Sequence, residues 1–360
     1  MRLRSTNRSV FGGVYMPMMD PAVVRGAVVA VALVVAITFP TAEQSPPARA
    51  AQPVEPIGAI MDAFRSHSVV ALGEDHGNEQ GHAFRIRLLQ DPRFTATVND
   101  IVVEFGNPRY QELMDRFVMG EQVGGQALRR VWQETTQISG VWDRPIYEDF
   151  FRAVRAVNAT LPRERQLRVL LGDLPVDWDA VRRSPPKPGE KRLLGQPVRD
   201  DAPAGAMNRD RHAAEVIQRE TLAKQRRALL IFGDMHVTRR PTSIVGRLER
   251  DTGVRVFNIR NATRRSYESL LALQPDASSW PVPSLAIVAG TVLTQREFGD
   301  VDAVLYLGPT SALTTSRLSR SLCEDASYIA MRRERMALSG LPPAQADDLL
   351  SRDCPTVPPK

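Results

Sequence analysis

No block of five or six like charges occurs in this sequence, no glycine-rich phosphate loop follows any of its apolar runs, and no G-x-S-x-G elbow is present. The first absence removes the electrostatic footprint that nucleic acid demands. The second disfavours nucleotide chemistry and the third a serine hydrolase. A formal charge of +6 points toward polyanions, but residues 1–50 hold five Arg against one Asp and one Glu, leaving 42 basic and 39 acidic residues beyond them. No nucleic-acid partner is therefore expected. Cysteine is scarce, and both copies, Cys323 and Cys354, lie near the C-terminus. In an oxidising compartment they would close a bridge that staples the tail.

The N-terminus has the pattern of an export signal. Arg25 precedes an apolar run from Gly26 to Phe39, and Ala48-Arg49-Ala50 offers a small-x-small cleavage site before Ala51. The run is shorter than the ~20 residues of a spanning helix, so residues 1–50 read as a signal peptide and the protein as periplasmic or secreted. Membrane association is expected only if residues 26–39 remain as an uncleaved anchor. No cysteine follows the run, which argues against a lipoprotein. Residues 40–56 read as an unstructured leader, of which 51–56 would survive cleavage, and order is expected to begin near Ile57. A single domain then spans 57–322, followed by a tail over 323–360.

Within the domain, short apolar runs alternate with helical patterns: SVVALG (68–73), DIVVEFG (100–106), LRVLLGD (167–173), ALLIFGD (228–234), VRVFNI (254–259), SLAIVAG (284–290) and AVLYLG (303–308). Continuous hydrophobicity marks strands covered on both faces, so the fold class is α/β, a mainly parallel central sheet flanked by helices. Pro108 opens one helical segment, Phe150, Phe151, Val154 and Val157 share a face of another, and Asn208 caps a third. The stretch 184–206, rich in Pro and Gly, is too long for an ordinary connection and reads as a lid or a solvent loop.

In a parallel sheet, ligands bind beyond the carboxyl ends of the strands, where loops converge. Four runs end there in reactive side chains: Glu74 and His76, Glu104, Asp173, and Asp234 with His236. Single acids at strand exits are ordinary turn residues; four together point to a site. Histidine sharpens the point. Two of the five histidines stand three residues after a strand-ending glycine, in Gly73-Glu74-Asp75-His76 and Gly233-Asp234-Met235-His236. Chance supplies roughly 0.3 such strings in a chain of this composition. The glycines are expected to let the chain turn sharply at the sheet edge.

Two G-x-x-H motifs, the first as Gly-Glu-x-His, with a glutamate closing the next strand, resemble the superfamily of erythromycin esterases, ChaN-type haem-binding proteins and Tiki metalloproteases. Arg209-Asp210 with Ala214-Glu215 is similar to its R-D-x-x-M-A-E signature, with Ala213 in place of the usual Met. The esterase resemblance implies His76 as the base that activates water, oriented by Glu74 or Glu104, with His236 facing it and Arg209 steadying negative charge. The Tiki resemblance implies instead that Glu74, His76, Glu104 and His236 hold a divalent metal such as Mn, Co or Zn. The ChaN resemblance implies haem, for which Tyr110, Tyr147 or His212 would be the axial ligand. The expected function is hydrolysis of an ester or amide in a small-molecule or peptide substrate, with haem or iron binding as the alternative and a catalytically inert binding protein as a third reading.

Other features admit plainer readings. Glu79-x-x-His82 lacks the second motif that a di-iron site draws from another helix and reads as a solvent-facing helix start. His212 and Glu215 lie one turn apart, either near the site or as an exposed pair. Trp132, Trp142 and Trp178 form either an aromatic wall or core packing.

Overall fold

All seven apolar runs form strands, and they join one eight-stranded sheet with a further, very short strand. The computed structural model describes residues 48–185, 208–295 and 298–355. The strands are β1 (Pro53–Val54), β2 (Val69–Glu74), β3 (Asp100–Val103), β4 (Arg168–Leu171), β5 (Ala228–Gly233), β6 (Val256–Ala262), β7 (Ser284–Ile287) and β8 (Ala303–Tyr306). Their order is β1-β7-β8-β6-β2-β5-β3-β4. The six from β8 to β4 are parallel, while β7 and β1 are antiparallel to their neighbours. The expected α/β class is the one observed.

Alternation along the strands builds the two layers. On one face Val70 and Leu72 of β2, Ile101 and Val103 of β3, and Leu229 and Ile231 of β5 meet Phe84 and Leu88 of the helix Glu79–Gln90 and Phe150, Phe151 and Val154 of the helix Pro145–Asn158. On the other, Val69, Ala71, Val102, Leu230 and Phe232 meet Ala213 and Ile217 of the helix Arg209–Glu220 and Val245 and Leu248 of the helix Ile244–Thr252. Both side-chain sets of each strand are covered, so the runs carry no polar alternation. Each such buried aliphatic or aromatic side chain stabilises the fold by about 1.5–3 kcal/mol. Phe84, Arg85, Leu88 and Leu89 are the buried side chains of the 79–90 helix, a spacing that will matter at the site.

The leader reading needs correction. Pro53 and Val54 pair with Ala286 and Leu285 of β7, the Ala51 amide donates to Gln274 Oε1, and Ala51 is fully buried. A two-residue edge strand that opens with proline offers no pattern to read. Helix follows at once over Pro56–Ala63, its Glu55 cap accepting from the Ile57 and Gly58 amides.

In the tail, the helices Ala326–Leu338 and Pro343–Asp353 pack as a hairpin around Met336, Ala346 and Leu350. Cys323 and Cys354 are joined, as expected. The apolar run 26–39 and all but two residues of the 184–206 segment lie outside the described residues. Among the described residues no helix is long and apolar enough to cross a membrane.

Candidate functional site

The chain leaves β2 for β3 and β4 on one side, returns to β5 between β3 and β2, and then crosses to β6 on the other side. Connections that depart in opposite directions leave a crevice at the strand ends. Glu74 closes β2, level with Gly233 at the end of β5. Glu104 extends β3 by one residue along the other flank of β5, its amide donating to the Ile231 carbonyl. The exits of β2 and β5 therefore bring His76 and His236 to the same place.

Glu104 lies between the imidazoles. Its Oε2 is 3.8 Å from His76 Nε2 and its Oε1 3.6 Å from His236 Nε2. The carboxylate is buried, accepts from the Gly233 amide at 2.8 Å and from Arg209 Nη2, and Arg209 Nε donates in turn to Asp173 Oδ1 at 3.0 Å. Asp173 is fixed from behind by the Thr136 amide and hydroxyl. Burial would raise the Glu104 pKa, but the charges of Arg209, His236 and His76 and the Gly233 amide pull it down to about 2.

His76 faces a second buried carboxylate. Its Nδ1 is 3.6 Å from Glu74 Oε2, while Glu74 Oε1 accepts from Tyr147 Oη at 2.8 Å and from Arg85 Nη2 at 3.3 Å. Burial pushes Glu74 up, yet Arg85 and His76 hold it below its usual value. For His76, desolvation opposes the charge, and Glu104 and Glu74 together overcome it, pushing the imidazole up to about 9. Trp142 closes one side of the ring, edge-on at 4.7 Å between centroids.

His236 differs in its support. Its Nδ1 donates to Asp210 Oδ1 at 2.5 Å, which fixes the tautomer and turns Nε2 toward the crevice. Desolvation lowers its pKa, but Glu104 and Asp210 outweigh this and leave it raised.

The strand-ending glycines act through space rather than through backbone freedom. Neither Gly73 nor Gly233 has a positive φ. A Cβ on Gly233 would stand 2.9 Å from His76 Cε1 and 3.4 Å from Glu104 Oε2; one on Gly73 would meet Asp234 Oδ1 at 2.0 Å. The left-handed residue is Gly77, whose amide donates to Tyr147 Oη.

Glu74, His76, Glu104, Arg209, Asp173 and His236 thus converge. Asp234 does not join them: its Oδ1 accepts from the Asn261 amide at 3.2 Å, on the β6 side, and burial pushes its pKa up to about 6. His212, half-buried, has no contact with either imidazole among those described, and Glu79 is exposed at its helix start, where it accepts from Thr314. Trp132 and Trp178 are core residues, and only Trp142 of the three reaches the site. Two supports were not singled out from sequence. Arg85 breaks the apolar face of the 79–90 helix, a legible sign of a buried charge awaiting a partner. Asp210 belongs to the R-D pair, where only the arginine drew attention.

The donor set is only partly open to a divalent cation, since Glu74 Oε2 and His76 Nδ1 are buried with no hydrogen-bond partner among the described residues. Glu74 Oε1 and Glu104 Oε1 each already face a guanidinium, Glu104 Oε2 is taken by an amide, and among the described residues no three His, Cys, Asp or Glu side chains form a cage. Arg85 and Arg209 supply positive charge where Mn, Co or Zn would have to. Of the haem-ligand candidates, Tyr147 is buried with its hydroxyl committed to Glu74 and Gly77, and Tyr110 donates to Glu134. His212 Nε2 is buried with no partner among the described residues, and burial lowers the pKa of the ring, favouring the neutral form that can bind iron.

Residues 60–163 match the family described as haem-binding uptake, Tiki superfamily, ChaN. That span contains Glu74, His76 and Glu104, and the resemblance to this superfamily is shown there. No curated protein matches the sequence. Among solved structures, one from Bacillus cereus is similar at 10% identity and a TM-score of 0.50, covering 75% of this chain and 97% of its own. A succinoglycan biosynthesis protein is similar at 9% identity and a TM-score of 0.50, over 75% of this chain and 96% of that one. ChaN of Campylobacter jejuni, described with cofacial haem, matches at 11% identity and a TM-score of 0.36, over 69% of this chain and 90% of its own. The first two share the fold.

Proposed function

We propose that the crevice at the exits of β2, β3 and β5 is a hydrolytic centre for an ester or amide, with His236 as base and then acid and His76 as the cation that stabilises the oxyanion. The observation that carries this is the Asp210–His236 pair, whose free Nε2 faces the same buried Glu104 as His76. A carboxylate on Nδ1 holds the tautomer and supports the imidazolium that forms when Nε2 accepts a proton. His76 has the complementary task. Held up to about 9 by Glu104 and Glu74, it keeps its proton at neutral pH. The roles are therefore exchanged relative to the esterase-derived expectation, in which His76 was the base.

In this scheme His236 Nε2 takes a proton from water as the water oxygen adds to the substrate carbonyl. His76 places its charge and its proton against the oxygen that becomes negative, and the imidazolium of His236 then protonates the leaving group as the C–O or C–N bond breaks. Arg209 holds Glu104 between the rings, so that both stay aimed at one small volume. Turnover should rise as His236 loses its proton and fall as the pH passes about 9, where His76 loses its own. The N-terminal pattern and the Cys323–Cys354 bridge support placing this chemistry in the periplasm or outside the cell, on a small-molecule or peptide substrate.

The family description supports haem binding equally, and His212 is the side chain that favours it. One pair of assays separates the readings. With 4-nitrophenyl acetate and 4-nitroacetanilide as probes, His236→Asn and His76→Asn should each lower kcat by about 10³-fold without loss of far-UV ellipticity. Full turnover in either variant overturns the hydrolytic reading. A stoichiometric Soret band on titration with hemin that disappears in His212→Ala establishes the second.

A further inference from the structure

Trp142 seats two parts of the site at once. Its ring lies edge-on to His76 at 4.7 Å and to Tyr147, the holder of Glu74, at 4.8 Å. It sits in the short 3-10 turn Gly140–Asp143, where its ring also packs in the main core against Phe105. The C-terminal hairpin anchors both ends of this turn. At one end the Gly140 amide donates to Asp353 Oδ2 at 3.4 Å; at the other Asp143 Oδ2 accepts from Tyr328 Oη at 2.6 Å. Arg332 Nη2 donates to the same Asp353 oxygen at 2.8 Å, and its guanidinium fills the space a side chain on Gly140 would need, 2.6 Å from that Cβ position.

Tyr328 and Arg332 are buried, although the core of the hairpin is small: Met336, Ala346 and Leu350, with the half-buried Ile138, Ile329, Leu341 and Leu349 against them. So small a core gives little hydrophobic reason for the hairpin to stay docked. These polar anchors, and the covalent closure next to them, since Asp353 immediately precedes Cys354, which is bonded to Cys323, join the contacts that Arg335 makes with Gln133, Glu134 and the Trp178 ring in docking it. We propose that the C-terminal hairpin, closed by the Cys323–Cys354 bridge, is a positioning element for His76, acting through Trp142. Opening the bridge would free Asp353, loosen the Gly140–Asp143 turn and let the imidazole leave its place between Glu74 and Glu104.

The test uses the full chain labelled with 5-fluorotryptophan, whose four tryptophans give four 19F resonances, with Trp142 assigned from Trp142→Phe. Tyr328→Phe and Asp353→Ala each remove an anchor while the bridge stays closed; Cys323→Ala with Cys354→Ala removes the bridge. In each, the Trp142 resonance should shift or broaden while that of Trp280, packed in a separate cluster, stays in place. The kinetic arm rests on the hydrolytic reading: kcat on 4-nitrophenyl acetate should fall about tenfold in Tyr328→Phe with KM unchanged. An unmoved Trp142 resonance in both single variants, with native ellipticity, overturns the proposal, as does a moved resonance with undiminished kcat. Absence of turnover in the unaltered chain refutes the hydrolytic reading alone, and the fluorine spectra still decide the brace.

Discussion

β6 and β8 run parallel to β2, β3 and β5 and end at the same edge of the sheet, yet the two halves of that edge spend their polar groups differently. At the exit of β6, Asn261 bonds Asp234 and the Gly73 carbonyl, and Thr263 with Ser266 caps the next helix. Past β8 come the buried Leu307 and Gly308, whose φ is 114°. Thr263 and Ser266 are cap chemistry satisfied within one turn, and Asn261, which reaches 188 residues back to the Gly73 carbonyl, does so with a neutral amide. In the other half, Glu74 and Glu104 are buried and are held by Tyr147 and Arg209, 73 and 105 residues away in sequence. Burying charges that only distant segments can satisfy costs stability, and such an arrangement marks a functional site rather than a turn.

That contrast can be broken by substitution. The largest effect after loss of a histidine is expected for Asp210→Asn, which keeps the helix cap at Asn208 but removes the carboxylate from His236. Turnover of 4-nitrophenyl acetate should fall about 10²-fold with the melting temperature little changed. Next comes Gly233→Ala, whose methyl would stand 2.9 Å from His76 Cε1 and push the ring off Glu104. About a tenfold loss of kcat is expected, measured beside Gly253→Ala, an exposed position whose φ of 71° makes the methyl costly to the fold far from the site, as a control for stability alone. The smallest effect is expected for Asp234→Asn. Although Asp234 stands in the second G-x-x-H motif, its Oδ1 serves Asn261, so turnover should change by less than about twofold. A loss as large as that of Asp210→Asn would erase the distinction between the halves.

The strands were legible because burial on both faces leaves an unbroken apolar run. The site was legible as a coincidence of reactive residues at four strand exits, four of them (Glu74, His76, Glu104 and His236) in the superfamily pattern. Other parts were hidden for physical reasons. β1 is two residues long and owes its pairing to β7, not to its own pattern. Tyr147 looked like a ligand for iron because sequence shows a phenol but not the carboxylate that occupies it. The motif glycines suggested turning, whereas what the site needs of Gly233 is an absent side chain beside His76. Arg85 was legible and overlooked, since a charged residue between Phe84 and Leu88 on a buried face requires a partner.

The central claim is that His76 and His236 share Glu104, and the direct measurement is a 15N titration of both imidazoles in the unaltered chain and in Glu104→Gln. Folded His76 should titrate near 9, above the ordinary histidine value of about 6.5. Its contribution to stability is then complete below pH 6.5 and is lost as the pH rises through 9. In Glu104→Gln both rings should titrate at lower pH, because the carboxylate that favours their charged forms is gone. A His76 that titrates near 6.5 in the unaltered chain, or a pair of rings indifferent to Glu104→Gln, would contradict the account.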